Sequence, residues 1–261
     1  MTAPKLLALD FDGVICDTVH EGCRSAWQVC RDIVKLNGDV PPPELAAAFV
    51  RLRPVLEHGW EFPVLVLAIL EGIPESTMFE AFQTTVRQRI LEAHHLASKE
   101  LAARFDAARD RAIARSLDDW LADQALYPGM AERLRAILKG GTEVYVITTK
   151  EGRFAHKLLE IHGVTLPVSQ VWGKEQARPK HELLRVLSQQ QGLAYRDLWF
   201  VEDRLKTLQA VKQRVDLREV GLFFATWGYV MPAEPDEAAR DPRIVPLTLP
   251  QFCRDFSAWT R

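Results

Sequence analysis

The sequence predicts a doubly wound, Rossmann-like parallel α/β sheet interrupted by an all-helical insertion. Short apolar runs without polar alternation recur along the chain, as strands covered on both faces by helices require. Helical patterns separate most of them, the alternation that builds a parallel sheet. Between the first run and the second lies a block of about a hundred residues, rich in Ala, Arg, Glu and Leu, with few strand-like segments.

In chain order, the strand candidates are Lys5 to Asp10, Glu143 to Thr148, Asp197 to Glu202 and Glu219 to Ala225. Helices are expected over Met130 to Leu138, Arg153 to His162, Lys180 to Gln190 and Lys206 to Arg214. Within the insertion, Leu101, Phe105, Ala108, Ile113, Leu117, Trp120 and Leu121 recur at spacings that keep one helical face apolar. Pro41-Pro42-Pro43 and Gly72-Ile73-Pro74 punctuate the block, and Tyr127-Pro128-Gly129 closes it. The division expected is a core of residues 1–18 and 126–261 carrying a helical domain of residues 19–125.

Composition narrows the function classes. Hydrophobic residues at 48% and charged residues at 26% give the balance of a soluble globular protein. With 33 Lys and Arg against 35 Asp and Glu, no basic excess suits a nucleic-acid backbone or an anionic membrane. The longest apolar stretch, Val64 to Leu70, falls far short of the roughly 20 residues of a membrane-spanning helix. Leu6 to Leu9 is too short for the apolar centre of a secretory signal and runs into Asp10. Cys16, Cys23, Cys30 and Cys253 are too sparse for a disulfide framework, so reduced thiols and a cytoplasmic location are expected. The seven-residue spacing of the first three would suit one helix face. His94 and His95 are adjacent in a helical stretch and do not share a face, which argues against a metal pair.

Functional groups of open α/β sheets gather at the carboxyl ends of the strands. There the sequence places Asp10-Phe11-Asp12-Gly13-Val14, Thr148-Thr149 and Glu202-Asp203, with Arg178-Pro179-Lys180 opening a helix. Singly, each has an ordinary explanation as a turn residue, a helix cap or a solvated lysine. Jointly they suggest one chemistry. Asp10, Asp12 and Asp203 would repel one another unless a cation lay among them. Hard oxygen donors in a partly open site suit Mg2+, which accepts phosphate oxygens. A lysine and a threonine hydroxyl could bind the remaining phosphoryl oxygens. A carboxylate so held can attack phosphorus and form an aspartyl-phosphate.

In order, Asp10-Phe11-Asp12-Gly13-Val14, Thr148, Lys180 and Glu202-Asp203 resemble the four motifs of haloacid dehalogenase-superfamily phosphatases. The resemblance spans nearly the whole chain, and the helical block falls where that family places its first-type cap. It implies that Asp10 is the nucleophile, and that Asp12 protonates the leaving oxygen and then activates water. It further implies that Thr148 and Lys180 orient the phosphoryl group. Magnesium would be held by Asp10, the Asp12 carbonyl and Asp203. Thr207 stands where many relatives carry a second Asp, so the metal ligand rests between Asp203 and its neighbour Glu202. Lys174 is the alternative lysine, with Lys180 favoured because Pro179 suits the opening of a helix. Asp12 argues against the family's dehalogenases, which lack this residue, and against its phosphonate hydrolases, which replace it.

The resemblance implies a small-molecule phosphate ester as substrate. Ala225-Thr226-Trp227-Gly228-Tyr229 resembles the segment after the fourth motif in phosphoglycolate phosphatases, which makes phosphoglycolate the candidate. Arg53 in the helical block is the candidate contact to a substrate anion. A phosphosugar mutase of the same superfamily, or a non-catalytic binding module on the same fold, are the alternatives.

Overall fold

A computed structural model describes residues 3–260 of the chain. The strands are β1 (Leu6–Leu9), β2 (Cys16–Asp17), β3 (Ala125–Leu126), β4 (Glu143–Ile147), β5 (Val171–Trp172), β6 (Leu198–Glu202), β7 (Gly221–Ala225) and β8 (Ile244–Leu247). Six of them form a sheet in the order β5-β4-β1-β6-β7-β8, parallel throughout. From β1 the chain winds outward through β4 and β5, then crosses to build the other half through β6, β7 and β8. The switch point therefore lies between β1 and β6, where a doubly wound sheet opens a crevice at its carboxyl edge.

Every residue of β1 and β6 is buried, which is why these strands read as unbroken apolar runs. Leu6, Ala8, Phe200, Leu222 and Phe224 join the helices on one side of the sheet. Leu7, Leu9, Trp199, Val201 and Phe223 are buried in the alternate positions, with Trp199 and Phe223 packed against Trp259. Full burial of a side chain of this size is worth about 1.5–3 kcal/mol, so the central strands contribute heavily to holding this unit together.

The helices of the insertion are α1 (Val19–Val34), α2 (Pro43–Leu52), α3 (Glu61–Leu70), α4 (Glu75–Ala81), α5 (Arg87–Ala93), α6 (Ser98–Arg115) and α7 (Leu117–Ala122). Those flanking the sheet are α8 (Met130–Lys139), α9 (Gly152–Ile161), α10 (Lys180–Gln190), α11 (Leu205–Lys212), α12 (Glu234–Arg240) and α13 (Leu249–Phe252). Two compact units result, residues 1–17 with 126–261 and residues 18–125.

The helical unit is organised around α3, buried from Glu61 through Ala68 and packed by α1, α2, α5 and α6. Gly22 of α1 lets the Phe62 ring approach where a Cβ would collide with it. Two buried carboxylates are fully engaged. Glu21 accepts both arms of Arg109 at 2.8 and 2.7 Å and also Ser25 Oγ at 2.7 Å. Glu61 accepts Arg87 at 2.7 Å and the His58 N–H at 2.9 Å. Buried charge is tolerated only with such pairing.

Two sequence expectations are corrected here. The single apolar face from Leu101 to Leu121 is two helices, broken at Ser116, whose backbone is extended (φ −161°, ψ 109°). Ser116 Oγ accepts the Asp119 N–H at 3.2 Å and starts α7, so capping chemistry overrides the periodicity. Among the cysteines, Cys23 and Cys30 share the buried side of α1, but Cys16 lies on β2, before that helix begins. All four thiols are free.

Candidate active site

Asp10 leaves the end of β1 with its N–H donating to the Val201 carbonyl of β6 at 3.0 Å, which continues the β1–β6 pairing by one bond. Behind it the chain turns tightly. The Phe11 carbonyl accepts the N–H groups of Ile15 and Cys16, both at 2.9 Å. Gly13 holds this turn at φ +88°, where a Cβ would collide with the Asp203 carboxylate. The second acid of the motif, Asp12, is thereby carried to the same edge with its side chain 22% exposed.

Lys180 is the first residue of α10, directly after Pro179. Its ammonium lies 2.8 Å from Asp10 Oδ1 and 2.6 Å from Glu202 Oε2, bridging the ends of β1 and β6. Glu202 is wholly buried, and its other oxygen, Oε1, accepts the Arg204 N–H at 3.1 Å. Asp203 is 1% exposed, and its Oδ2 accepts the Tyr229 N–H at 2.7 Å. One carboxylate oxygen from each of Asp10, Glu202 and Asp203 falls within 4.8 Å of the others.

These surroundings shift the charges. Burial, reinforced by the Glu202 charge and opposed by Lys180, pushes the Asp10 carboxyl up to about 7. Burial likewise raises Glu202 against the pull of Lys180. For Lys180, burial alone would depress the ammonium; Asp10 and Glu202 outweigh it and hold the group above its ordinary value. Asp10, Asp12, Glu202 and Asp203 face two ammonium groups, Lys180 and Lys150. With all six ionised, the two negative charges left over are what one divalent cation would offset.

Thr148 follows β4 and is 4% exposed; its N–H donates to the Trp172 carbonyl at 2.9 Å. Its Oγ1 accepts the Lys150 N–H at 3.0 Å, which leaves the hydroxyl proton available as a donor. Lys174 does not share the Lys180 position: it pairs with Glu151 at 3.1 Å and is 46% exposed. Arg53 lies in the helical unit, its guanidinium 4.8 Å above the Phe62 ring and an Nη1 hydrogen bond of 3.4 Å reaching the Leu56 carbonyl.

Sequence reading passed over two contacts. Lys150 Nζ stands 3.3 Å from Asp12 Oδ1, and its place two residues beyond Thr148 at a strand end was the available signal. Trp227-Gly228-Tyr229, noted only for its resemblance, packs on the site. Trp227 Nε1 donates to the Val14 carbonyl at 3.0 Å, and the Tyr229 phenol donates to Asp17 Oδ1 at 2.9 Å.

A parallel doubly wound sheet with carboxylates and a lysine converging at its switch point defines an α/β enzyme core. The model of the haloacid dehalogenase-like hydrolases matches residues 4–213, and the chain belongs to that family. A phosphoglycolate phosphatase of Pseudomonas putida strain KT2440 is 27% identical over 242 residues, covering 87% of this chain and 71% of the relative. Among solved structures, the fold is shared with a predicted phosphoglycolate phosphatase from Haemophilus somnus 129PT, at a TM-score of 0.60 and 15% identity over 94% of each chain. It is shared as well with a haloacid dehalogenase-like hydrolase from Streptococcus pneumoniae, at a TM-score of 0.51 and 16% identity over 94% of this chain and 95% of that one. Among the described residues, no helix is long and apolar enough to cross a membrane.

Proposed function

We propose that the protein is a magnesium-dependent phosphatase that hydrolyses a small phosphorylated metabolite through an aspartyl-phosphate on Asp10. The observation that carries this reading is the Lys180 ammonium bridging Asp10 and Glu202 at 2.8 and 2.6 Å beside the buried Asp203. Such a cluster both restrains a carboxylate nucleophile and supplies cationic charge for a phosphoryl group.

The donor set fits Mg2+: all oxygen, anionic and in excess negative charge. Asp10 and Asp203 would hold the ion, with the Asp12 carbonyl as the family resemblance implies. Asp203 is preferred to Glu202 because both Glu202 oxygens are already engaged, by Lys180 and by the Arg204 N–H. When bound, the ion would screen the converging carboxylates and the phosphoryl oxygens.

In the first half-reaction an Asp10 oxygen bonds to phosphorus as the ester P–O bond breaks. Asp12 gives its proton to the departing oxygen. Lys180 and the Thr148 hydroxyl hold the equatorial phosphoryl oxygens. In the second, Asp12 takes a proton from water, whose oxygen attacks phosphorus and frees Asp10. The phosphoglycolate phosphatase relative supports phosphoglycolate as the first substrate to test. The helical unit, residues 18–125, is assigned the role of a cap that selects among leaving groups. Arg53 is assigned the contact to a substrate anion: Arg53→Ala should lower turnover of the anionic metabolite much more than that of a small aryl phosphate, and equal losses would point to a structural role.

Asp10→Asn tests the whole reading. Phosphate release from an aryl phosphate with excess Mg2+ should fall at least several hundredfold while the melting temperature is retained. Substantial turnover by that variant would remove Asp10 as the nucleophile.

A further inference from the structure

Lys150 has no part in the chemistry just described, yet its ammonium is set against the group that moves the protons. The side chain is 6% exposed, and Nζ lies 3.3 Å from Asp12 Oδ1. Its backbone is pinned on both sides. The N–H donates to Thr148 Oγ1 at 3.0 Å, and the carbonyl accepts the Lys174 N–H at 2.8 Å. An ammonium buried to this extent is retained only against anionic partners. The two lysines divide the site, Lys180 on Asp10 and Lys150 on Asp12.

The division reaches single atoms. Lys150 engages Oδ1 of Asp12, while Oδ2 accepts no hydrogen bond from the described residues. A carboxylate that must give up a proton and later take one needs one oxygen held and the other available. Asp12 sits on a short turn with part of its side chain in solvent, where its rotamers would otherwise interchange.

We propose that Lys150 is a positioning residue for Asp12, fixing Oδ1 so that Oδ2 faces the leaving oxygen in the first half-reaction and water in the second. This rests on the phosphatase reading above. The proton balance is that of the two half-reactions: Asp12 loses its proton as the ester P–O bond breaks and regains one from water as the Asp10–phosphorus bond breaks.

The role separates two kinds of leaving group. Nitrophenolate departs without a proton, whereas an alkoxide requires one. Lys150→Met should therefore leave single-turnover release of nitrophenolate, with enzyme in excess of 4-nitrophenyl phosphate, within about twofold of wild type. Steady-state turnover of that ester should fall tenfold to a hundredfold, on the order of a general acid–base contribution. Single-turnover cleavage of an alkyl phosphate such as phosphoglycolate should fall by a similar factor. Lys150→Arg should recover part of both losses, and in an Asp12→Asn background Lys150→Met should change turnover less than twofold.

A parallel fall in single-turnover nitrophenolate release, with the melting temperature retained, would place Lys150 on the phosphoryl group and overturn the proposal. An undiminished effect in the Asp12→Asn background, or no effect at all, would overturn it equally. Failure of the phosphatase reading itself would appear separately, as no Mg2+-dependent phosphate release by the wild type, and failure of Asp10 as the nucleophile as turnover surviving Asp10→Asn.

Discussion

At the carboxyl end of β6, two adjacent acids meet different partners. Glu202 turns into the sheet edge, where Lys180 and the Arg204 N–H take its two oxygens; Asp203 is steadied through Oδ2 by the Tyr229 N–H. Substitution can separate a lysine anchor from a metal ligand. Asp203→Asn should raise the Mg2+ concentration for half-maximal activity at least tenfold. Glu202→Gln should leave that concentration within about threefold and lower turnover at saturating Mg2+ roughly tenfold or more, because Lys180 then leans on Asp10 alone. A Mg2+ titration of both variants checks the assignment, and an interchange of the two outcomes would make Glu202 the ligand.

The element that completes this edge is the loop after β7. It lies beyond residue 213, where the family match ends, yet it touches both acidic segments. Gly228 brings its backbone so close to the Gly13 carbonyl and the Asp203 side chain that an added Cβ would overlap both. Its neighbours fasten the contact, Trp227 through the Val14 carbonyl and Tyr229 through Asp203. The loop thus acts as a clasp across the ends of β1 and β6. Gly228→Ala should displace it, reducing stability by about 1–3 kcal/mol as overpacking does and activity more than tenfold. Chemical unfolding and turnover measured together check this; a variant with full activity would show that the clasp is dispensable.

For the molecule as a whole, the buried acids give stability a pH dependence in the absence of metal. Burial lifts Asp10 from 3.8 to about 7, so between those values the native state holds a proton that the unfolded chain has lost. Stability contributed by this group must fall as pH rises through that window, and the penalty is complete above it. Glu202, raised by burial, acts in the same direction. Lys180, held above its ordinary value, adds stability throughout this range and loses it only in alkali. In chelator, the melting temperature of Asp10→Asn relative to wild type should therefore be higher at pH 8 than at pH 5. Added Mg2+ should stabilise the wild type preferentially at pH 8. An Asn-to-wild-type difference that does not change with pH would show that Asp10 keeps its ordinary affinity for protons.

The sequence by itself determined the four central strands, the helices between them, and the positions of Asp10, Asp12, Thr148, Lys180, Glu202 and Asp203 at strand ends or a helix opening. These are local properties: unbroken apolar character marks a strand buried on both faces, and polarity returns where it ends. Tertiary structure decided what depends on partners distant in the chain. β5 is two residues long, and β8, at the sheet edge, contains Pro246, so each is defined by the strand beside it. The break at Ser116 follows from a hydroxyl capping the next helix within an otherwise continuous pattern. The different partners of Glu202 and Asp203 are a lysine 22 residues away and a backbone N–H 26 residues away. Lys150 meets Asp12 across 138 residues of chain. No spacing rule spans such distances. The parallel sheet, whose crossovers return every strand end to one edge, is what makes them neighbours.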